Sequence, residues 1–311
     1  MLRFGTAMHG GESIAVARAG EEQRYIDVTA LCRDIATLQS LDDLLDLPDD
    51  LLGKVVARAR GATGSINATQ LRLLAPLVRP VRFRDCGIIV SHLVPSFKEM
   101  ARRVEISYPD KAPEVKARLA AMLEIPFHET VVGGDRDVES LTGEGSEVVC
   151  LNGELDFELE LAAVVRRRPD GSHDLFGYTF YNDWSIRDLQ VKQFTETGDL
   201  HGEAKNFPGS NVIGPMVVLA TDVVDPAALE IRAEIDGKPY AAGSLAGAAW
   251  AFPDAVDHLF AGQTLEGHEL VGSGTVLGGS CFENGDRLRD GAVVQFRSPE
   301  IGNLTMLSRQ S

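Results

Sequence analysis

Residues 155–165 read LDFELELAAVV, and this segment carries the strongest structural signal in the chain. Side chains alternate between the two faces of a strand, so Glu158 and Glu160 are expected on one face and Leu159 and Leu161 on the other. Paired carboxylates beside a continuous apolar run repel each other and lose hydration, and a divalent cation is the simplest compensation. An exposed edge-strand face is the alternative for this pair.

A second segment, residues 177–190 (GYTFYNDWSIRDLQ), favours the cation. Its β-rich first half ends in a dense polar cluster. There Asp183 can supply a third carboxylate, while Arg187 and Gln190 can supply hydrogen-bond donors. The two segments together indicate a metal site.

Composition and charge narrow the function classes. The chain has 311 residues, of which 44% are hydrophobic and 24% charged, as in an ordinary globular protein. The net charge of −16 argues against nucleic acid or an anionic membrane as a partner, but a bound cation still permits a small anionic substrate. No apolar run reaches membrane-spanning length, and residues 1–6 lack the apolar core of a signal peptide. Four scattered cysteines favour free thiols in a reducing cytoplasm, so we expect a cytoplasmic protein.

The pattern along the chain predicts two units. Residues 1–80 read as a small N-terminal domain of short strands and helices, and residues 81–311 as the main domain. The main domain contains helical patterns at Pro95–Arg103 and Pro113–Leu123, then many short β-rich stretches, among them Leu155–Arg166 and Thr275–Gly278. We therefore predict a mainly β fold with some helices (α+β).

Three further groups could do chemistry. Asp85 and His92 are seven positions apart, which places them on one helical face or, if only the second is helical, at the two ends of a short connector. Lys205 lies in a stretch rich in Gly and Pro. A helix cap, a structural histidine and a solvated lysine are the ordinary alternatives for these residues. The Gly-rich stretch at residues 272–283 holds several hydroxyls and Glu283, and it permits close backbone approach to a ligand.

Taken in order, these motifs resemble the fumarylacetoacetate hydrolase family. The matching elements are FELEL (157–161), NDWSxRDxQ (182–190), Lys205 with Phe207, and GSGT (272–275), within a similarity that runs from about Arg82 to the end. The resemblance implies a mixed β-sandwich roll behind a small N-terminal domain, and a homodimer. It also implies a divalent metal (Mg²⁺, Mn²⁺ or Ca²⁺) held by Glu158, Glu160 and Asp183, with Asp85 as a further ligand.

The resemblance implies catalytic roles as well. His92 corresponds to the family's general base and Glu283 to the glutamate that pairs with it. Lys205 and Gln190 correspond to residues that stabilise an oxyanion and position the substrate. Arg187 falls on a buried arginine and Thr275 on a substrate-contacting threonine.

The reaction implied is hydrolysis of a C–C bond in a β-diketo acid resembling fumarylacetoacetate or an acylpyruvate. The metal would polarise the carbonyl, and His92 would activate water. Three carboxylates leave room for the waters that Mg²⁺ prefers, whereas a fourth from Asp85 would suit Ca²⁺. We expect Mg²⁺ first.

Three departures from the family pattern leave the substrate open. Gly87 and Phe194 stand where the founding enzyme has tyrosines, and Ala101 stands where it has an arginine, with Arg102 and Arg103 adjacent. These family residues grip substrate carboxylates, so fumarylacetoacetate itself is not expected. Decarboxylation of a β-keto acid and dehydration or hydrolysis of a 2-keto-3-deoxy sugar acid are alternatives on the same site. A non-catalytic metal-binding protein is a third.

Overall fold

The computed structural model describes residues 1–20 and 24–310, and within these ranges the chain forms nineteen β-strands and nine α-helices. The strands are β1 (Leu2–His9), β2 (Glu12–Ala19), β3 (Arg24–Asp27), β4 (Ile66–Asn67), β5 (Leu71–Leu73), β6 (Arg82–Cys86), β7 (Gly133–Arg136), β8 (Leu141–Thr142), β9 (Ser146–Cys150), β10 (Leu155–Asp156), β11 (Leu159–Arg167), β12 (His173–Asp183), β13 (Ser185–Ile186), β14 (Asn211–Leu219), β15 (Ile231–Ile235), β16 (Lys238–Gly243), β17 (Glu269–Gly272), β18 (Val293–Ser298) and β19 (Gly302–Gln310). The helices are α1 (Val28–Leu31), α2 (Leu41–Leu45), α3 (Asp49–Gly61), α4 (Val90–Ser107), α5 (Ala112–Leu123), α6 (Arg187–Thr197), α7 (Gly202–Lys205), α8 (Phe252–Phe260) and α9 (Cys281–Asn284).

Two mixed sheets form the body of the protein. The larger runs in the order β4-β3-β2-β1-β14-β12-β11-β17-β6-β7, with β5 beside β1 and β8 beside β14. The smaller runs in the order β16-β15-β18-β19-β9, and β10 pairs separately with β13. Aromatic side chains fill the space between the sheets: the ring centroids of Phe180 on β12 and Phe296 on β18 are 5.8 Å apart. The predicted α+β fold of mixed sheets with a few helices is confirmed.

Strand β11 is buried on both faces, which explains its unbroken apolar composition. Leu159 and Leu161 pack into the core between the sheets, whereas Ala162 and Val164 face a second core under the N-terminal strands and helices. Glu160 has the same parity as Ala162 and therefore lies on the second face. The single strand predicted for Leu155–Arg166 is wrong in one respect, because the chain leaves extended pairing at residues 157–158, between β10 and β11.

Helices α4, α5 and α6 pack together near the C-terminal end of β12, the strand next to β11. Their shared apolar cluster includes Phe97, Met100, Leu119 and Phe194. The predicted helix Pro95–Arg103 lies inside α4. The prediction is too short at its N-terminus, because α4 begins at Val90 and Pro95 lies inside the helix. Asp85 lies on β6, so it and His92 stand at the two ends of a short connector.

The N-terminal strands continue the large sheet, since β1 pairs antiparallel with β14. The domain boundary near residue 80 remains a prediction. The strand predicted for Thr275–Gly278 is wrong, because these residues form the loop that follows β17. All four cysteines are buried and free, as predicted. Among the described residues, no helix combines the length and hydrophobicity needed to cross a membrane.

Candidate metal and catalytic site

Three buried carboxylates converge at one end of the large sheet. Glu160 lies near the start of β11, Asp183 at the end of β12 and Asp85 on β6, and one ligand oxygen from each lies within 4.8 Å of the other two. Strand β17 separates β11 from β6, and its last residue is Gly272. A Cβ atom there would lie 2.6 Å from Oδ1 of Asp85, so only glycine leaves room for this carboxylate.

The three carboxylates have the coordination capacity that a cation needs. Within the described part of the chain, Oδ1 of Asp85 and Oδ1 of Asp183 are buried without a hydrogen-bond partner. Burial, together with the charges of Asp85 and Glu158, raises the pKa of Glu160 well above its ordinary value. Burial also raises the pKa of Asp85, against the opposing effect of Arg136. Buried oxygen ligands that repel one another fit a hard divalent cation.

Both oxygens of Glu160 are oriented by the Gly-rich loop. The backbone N–H of Gly274 donates to Oε2 at 2.9 Å, and the hydroxyl of Thr275 donates to Oε1 at 3.1 Å. Gly274 has φ +80°, the left-handed region that favours glycine, and this conformation turns the loop toward Glu160. Thr275 thus contacts a carboxylate of the cluster as well as lining the cavity beside it.

Buried cations link the other carboxylates. Arg136 donates to Asp85 and, at 2.8 Å, to Asp183. Nζ of Lys205 lies 2.5 Å from Asp183 and 2.6 Å from Glu158. Burial lowers the pKa of Lys205, but Asp183 and Glu158 outweigh it and hold this pKa above its ordinary value. Lys205 is therefore protonated at neutral pH and is not the solvated lysine of the alternative interpretation.

Arg187 completes the chain of ion pairs. It donates to Asp156 at 2.9 Å and to Glu158 at 2.8 Å, and its guanidinium lies 4.8 Å from the ring centroid of Phe282. Asp156 also accepts the backbone N–H groups of Cys281 and Phe282 at 3.0 Å each. Through Asp156 and Phe282, Arg187 therefore links the residues around β10 to the Gly-rich C-terminal segment.

Glu158 stands apart from the three converging carboxylates. Its oxygens accept from Lys205 and Arg187, and it does not belong to the group whose ligand atoms approach within 4.8 Å. Burial by itself would raise its pKa, yet Lys205 and Arg187 hold that pKa well below the ordinary value. Glu158 is thus ionised and already neutralised by protein cations, and its role as a metal ligand remains a prediction.

The net charge of this network matches a divalent ion. Ion pairs join three cations to four carboxylates, and Glu160 adds a fifth acid that has no ion-pair partner in the described ranges. With every group ionised the cluster carries two excess negative charges. A buried excess of this kind is costly without a counter-ion.

A histidine and a glutamate form a second unit of the site. Nδ1 of His92 lies 2.8 Å from Oε2 of Glu283, whose other oxygen accepts the Gly278 N–H at 2.7 Å. Because a carboxylate only accepts, the proton of this hydrogen bond belongs to Nδ1. The hydroxyl of Ser96, one turn along α4, lies 3.2 Å from Nε2. His92 lines the cavity, and Glu283 lies behind its ring.

One cavity of about 150 Å³ brings the predicted residues together. Those that line it are Asp85, His92, Glu158, Glu160, Arg187, Gln190, Lys205 and Thr275. Asp183 and Glu283 do not line the cavity, but they contact Lys205 and His92, which do. Gln190 accepts from Arg187 and donates to the carbonyl of Leu200, each at 2.9 Å, which fixes its amide.

Sequence reasoning missed four residues of the site. Asp156 lies two positions before Glu158 and could have been included by strand alternation. Ser96 lies four positions after His92, the spacing that brings side chains together on a helix. Arg136 and His201 lie in segments without a recognisable motif, and only the tertiary fold places them on the cavity wall.

The comparison with known proteins identifies the family. A family model described as fumarylacetoacetate (FAA) hydrolase, C-terminal, matches residues 102–306 of the 311. The chain belongs to the fumarylacetoacetate hydrolase family. It is also 28% identical over 283 residues to the oxaloacetate tautomerase YisK of Bacillus subtilis, a match that covers 87% of this chain and 81% of that protein.

Solved structures of this family share the fold. The fumarylacetoacetate hydrolase of Exiguobacterium antarcticum superimposes with a TM-score of 0.68 at 19% identity, with 100% of both chains covered. The maleylpyruvate hydrolase of a Sphingobium species gives a TM-score of 0.66 at 16% identity, covering 99% of this chain and 100% of that one. Enzymes of the fumarylacetoacetate hydrolase family act on small acids and use divalent metals, and the carboxylates of Asp85, Glu160 and Asp183 fit such an ion.

Proposed function

We propose that this protein hydrolyses a C–C bond in a β-diketo acid. The observation that carries the proposal is the His92–Glu283 pair, which opens onto the same cavity as the buried carboxylates. Hydrolysis needs a base that activates water, whereas decarboxylation needs chiefly stabilisation of an enolate. A base held in one tautomer beside a candidate cation site is the combination that hydrolysis requires.

His92 acts as the general base. Its Nδ1 is held by Glu283, so Nε2 takes the proton from a water molecule as that water attacks the ketone farther from the substrate carboxylate. The hydroxyl of Ser96 lies on the side of the ring to which the Nε2 lone pair points. The water molecule is deprotonated from this side. The imidazolium that forms is stabilised by the Glu283 carboxylate.

The bond between the attacked carbon and the central CH₂ group then breaks. Its electron pair stays with the CH₂ carbon, which leaves as the enolate of a 2-keto acid, and the attacked carbon becomes a carboxylic acid. The proton held by His92 returns to the leaving carbon. One water is consumed, and a carboxylic acid and a 2-keto acid are released.

Other residues of the cavity stabilise charge and position the substrate. Lys205 uses two of its three N–H groups on Asp183 and Glu158, which leaves one for the oxyanion. Gln190 borders the same space and has one amide N–H group left to donate to the keto acid, while Thr275, whose hydroxyl donates to Glu160, can accept from its enol form. A divalent ion held by Asp85, Glu160 and Asp183, Mg²⁺ in the first instance, would polarise the attacked ketone as a Lewis acid.

Keto–enol tautomerisation of a β-keto acid is a second candidate. It is favoured by the similarity to the oxaloacetate tautomerase of Bacillus subtilis. In that reaction a protein base moves a proton between carbon and oxygen, and no C–C bond breaks.

Isotope labelling distinguishes the two candidates. Acetylpyruvate incubated with the enzyme and Mg²⁺ in H₂¹⁸O should yield pyruvate and acetate, with one ¹⁸O atom in the acetate. Mass spectrometry of the products measures this directly. Recovery of intact acetylpyruvate, together with accelerated tautomerisation of oxaloacetate, would overturn hydrolysis in favour of the second candidate.

A further inference from the structure

The cavity has two chemically different halves. The inner half carries the carboxylates, the cations and His92. The outer half lies under helices α4 and α5 and the segment that follows them, and it is lined by Leu93, Phe97, Met100, Met122, Ile125 and Phe127. Phe97, Met100 and Phe127 are buried, so this wall is fixed by core packing.

The charged groups of the outer helices turn away from the cavity. Arg102 pairs with Glu99 at 2.6 Å, and Arg103 pairs with Glu154 at 2.7 Å. Neither arginine lines the cavity, so neither replaces the arginine that the family pattern places at Ala101. The outer half therefore offers no arginine or lysine to a substrate carboxylate, as far as the described residues go.

The cations of the inner half are all ion-paired with protein carboxylates, although Lys205 keeps one N–H group and Nη1 of Arg136 has no partner among the described residues. Arg136, Arg187 and Lys205 each contact two buried acids. His201 is a second histidine on the wall besides His92, and burial, with the nearby charges of Arg136 and Lys205, lowers the pKa of His201 to about 4. It is therefore neutral at pH 7 and adds no positive charge.

The two positions at which the family pattern has tyrosines hold Phe194 and Gly87 here, so neither carries a hydroxyl group. Phe194 is fully buried in the cluster of α4, α5 and α6, where the guanidinium of Arg118 lies 5.6 Å from its ring centroid. Gly87 lines the cavity without a side chain. Two hydroxyl donors are thus absent from the places where the pattern expects them.

We propose that the substrate's group beyond the second ketone is apolar, an alkyl or aryl substituent, and not a carboxylate. This inference rests on the proposed function, because it places the diketo acid in the inner half. The aliphatic and aromatic walls of the outer half suit an alkyl or aryl group, which hydrogen-bonds to nothing. Each methylene that it buries should strengthen binding about fourfold, whereas a carboxylate buried there would lose its hydration unpaired.

A pair of β-diketo acids tests the inference. Benzoylpyruvate carries an aryl group at this position, and fumarylpyruvate carries a carboxylate. We expect benzoylpyruvate to bind at least tenfold more tightly to the His92→Asn protein with Mg²⁺ in calorimetry, and to show the higher kcat/KM with the wild-type enzyme. Equal binding, tighter binding of fumarylpyruvate or binding of neither would overturn the inference. Tighter binding of benzoylpyruvate without cleavage of either compound would sustain it and refute the hydrolysis.

A charge placed in the outer half gives an independent check. Leu93 is half-buried on this wall, and Leu93→Arg should shift the preference toward fumarylpyruvate by tenfold or more. Ile106→Arg is the matched control, because Ile106 is on the same helix but 69% exposed and away from the cavity. A preference unchanged in Leu93→Arg, or changed equally in both variants, would contradict the placement of the substituent.

Discussion

Nδ1 of His92 lies 2.8 Å from Oε2 of Glu283, although the two residues are 191 positions apart in the chain. Helix α4 supplies the histidine and the short helix α9 supplies the glutamate. The Gly278 N–H holds the other carboxylate oxygen at 2.7 Å, so the pair is oriented from both sides. This arrangement leaves Nε2 as the nitrogen for the proposed base.

Replacing the histidine tests its role as the base. His92→Asn should lower kcat by about 10²–10⁴, because it removes the proton acceptor, while the cavity and the metal ligands stay in place. His128→Asn is the matched control, since the His128 side chain is 75% exposed. Steady-state kinetics on a β-diketo acid, with circular dichroism to verify folding, make the comparison. Full activity in a folded His92→Asn protein would contradict the assignment.

Lys205→Met should reduce both stability and turnover. The substitution leaves the buried acids Glu158 and Asp183 with one cation each, and breaking a buried ion pair typically costs about 3–5 kcal/mol. In urea unfolding without metal, the free energy of unfolding should fall by an amount at the lower end of that range. With Mg²⁺ it should fall less, because the ion supplies positive charge to Asp183. Loss of the oxyanion donor should lower kcat by about 10²–10³.

The exposed Lys192 on α6 provides the control, and Lys192→Met should leave stability and turnover unchanged. A Lys205→Met protein as stable as the wild type without metal would show that the buried ion pairs do not contribute as inferred.

Metal binding should stabilise the fold through the buried carboxylates. A ligand that binds only the folded state raises its free energy of unfolding by about 2.7 kcal/mol at a concentration 100 times its Kd. Wild-type protein should therefore show a melting temperature that rises with Mg²⁺ concentration, and Glu160→Gln should abolish the rise. Asp135→Asn is the control, because that carboxylate is 59% exposed and pairs with Arg82 at the surface. An identical rise in the Glu160→Gln protein would place the ion elsewhere.

His268 should make stability depend on pH. Its Nδ1 accepts the Arg167 N–H at 3.0 Å, and burial lowers its pKa, an effect that Asp46 offsets only in part. The unfolded chain therefore binds a proton more readily than the folded one. The stabilisation is complete above about pH 6.5 and falls with decreasing pH, by at most about 1.4 kcal/mol per pH unit.

The variant His268→Asn removes this titration and keeps an acceptor oxygen for Arg167. The difference in unfolding free energy between wild type and variant should shrink between pH 7.5 and pH 5.5. Urea denaturation across that range measures it, and a difference that is independent of pH would refute the linkage.

The local signals in the sequence predicted the strands and most residues of the site. Alternation and the apolar run indicated β11, and the polar end of β12 indicated Asp183. The break at residues 157–158 was not predictable, because the alternating pattern continues through it while the chain changes partners. As a result, both glutamates were expected to be metal ligands. In the structure Glu160 belongs to the carboxylate cluster, whereas Glu158 forms ion pairs with Lys205 and Arg187.

Arg136 was not predicted either, and long-range strand pairing explains why. Arg136 reaches Asp85 because β6 and β7 pair antiparallel, with Asp85 opposite Gly134. Fifty-one positions separate the two residues, and no local pattern links them. The charge balance of the site, which depends on Arg136, therefore required the tertiary structure.

The metal dependence of C–C bond cleavage tests directly whether the buried carboxylates hold a catalytic ion. Turnover of acetylpyruvate is measured before exhaustive treatment with EDTA, after it, and after Mg²⁺, Mn²⁺ or Ca²⁺ is added back to the dialysed enzyme. Activity should disappear on chelation and return with at least one of these ions. Full activity in protein shown by elemental analysis to be free of metal would contradict a catalytic role for the ion.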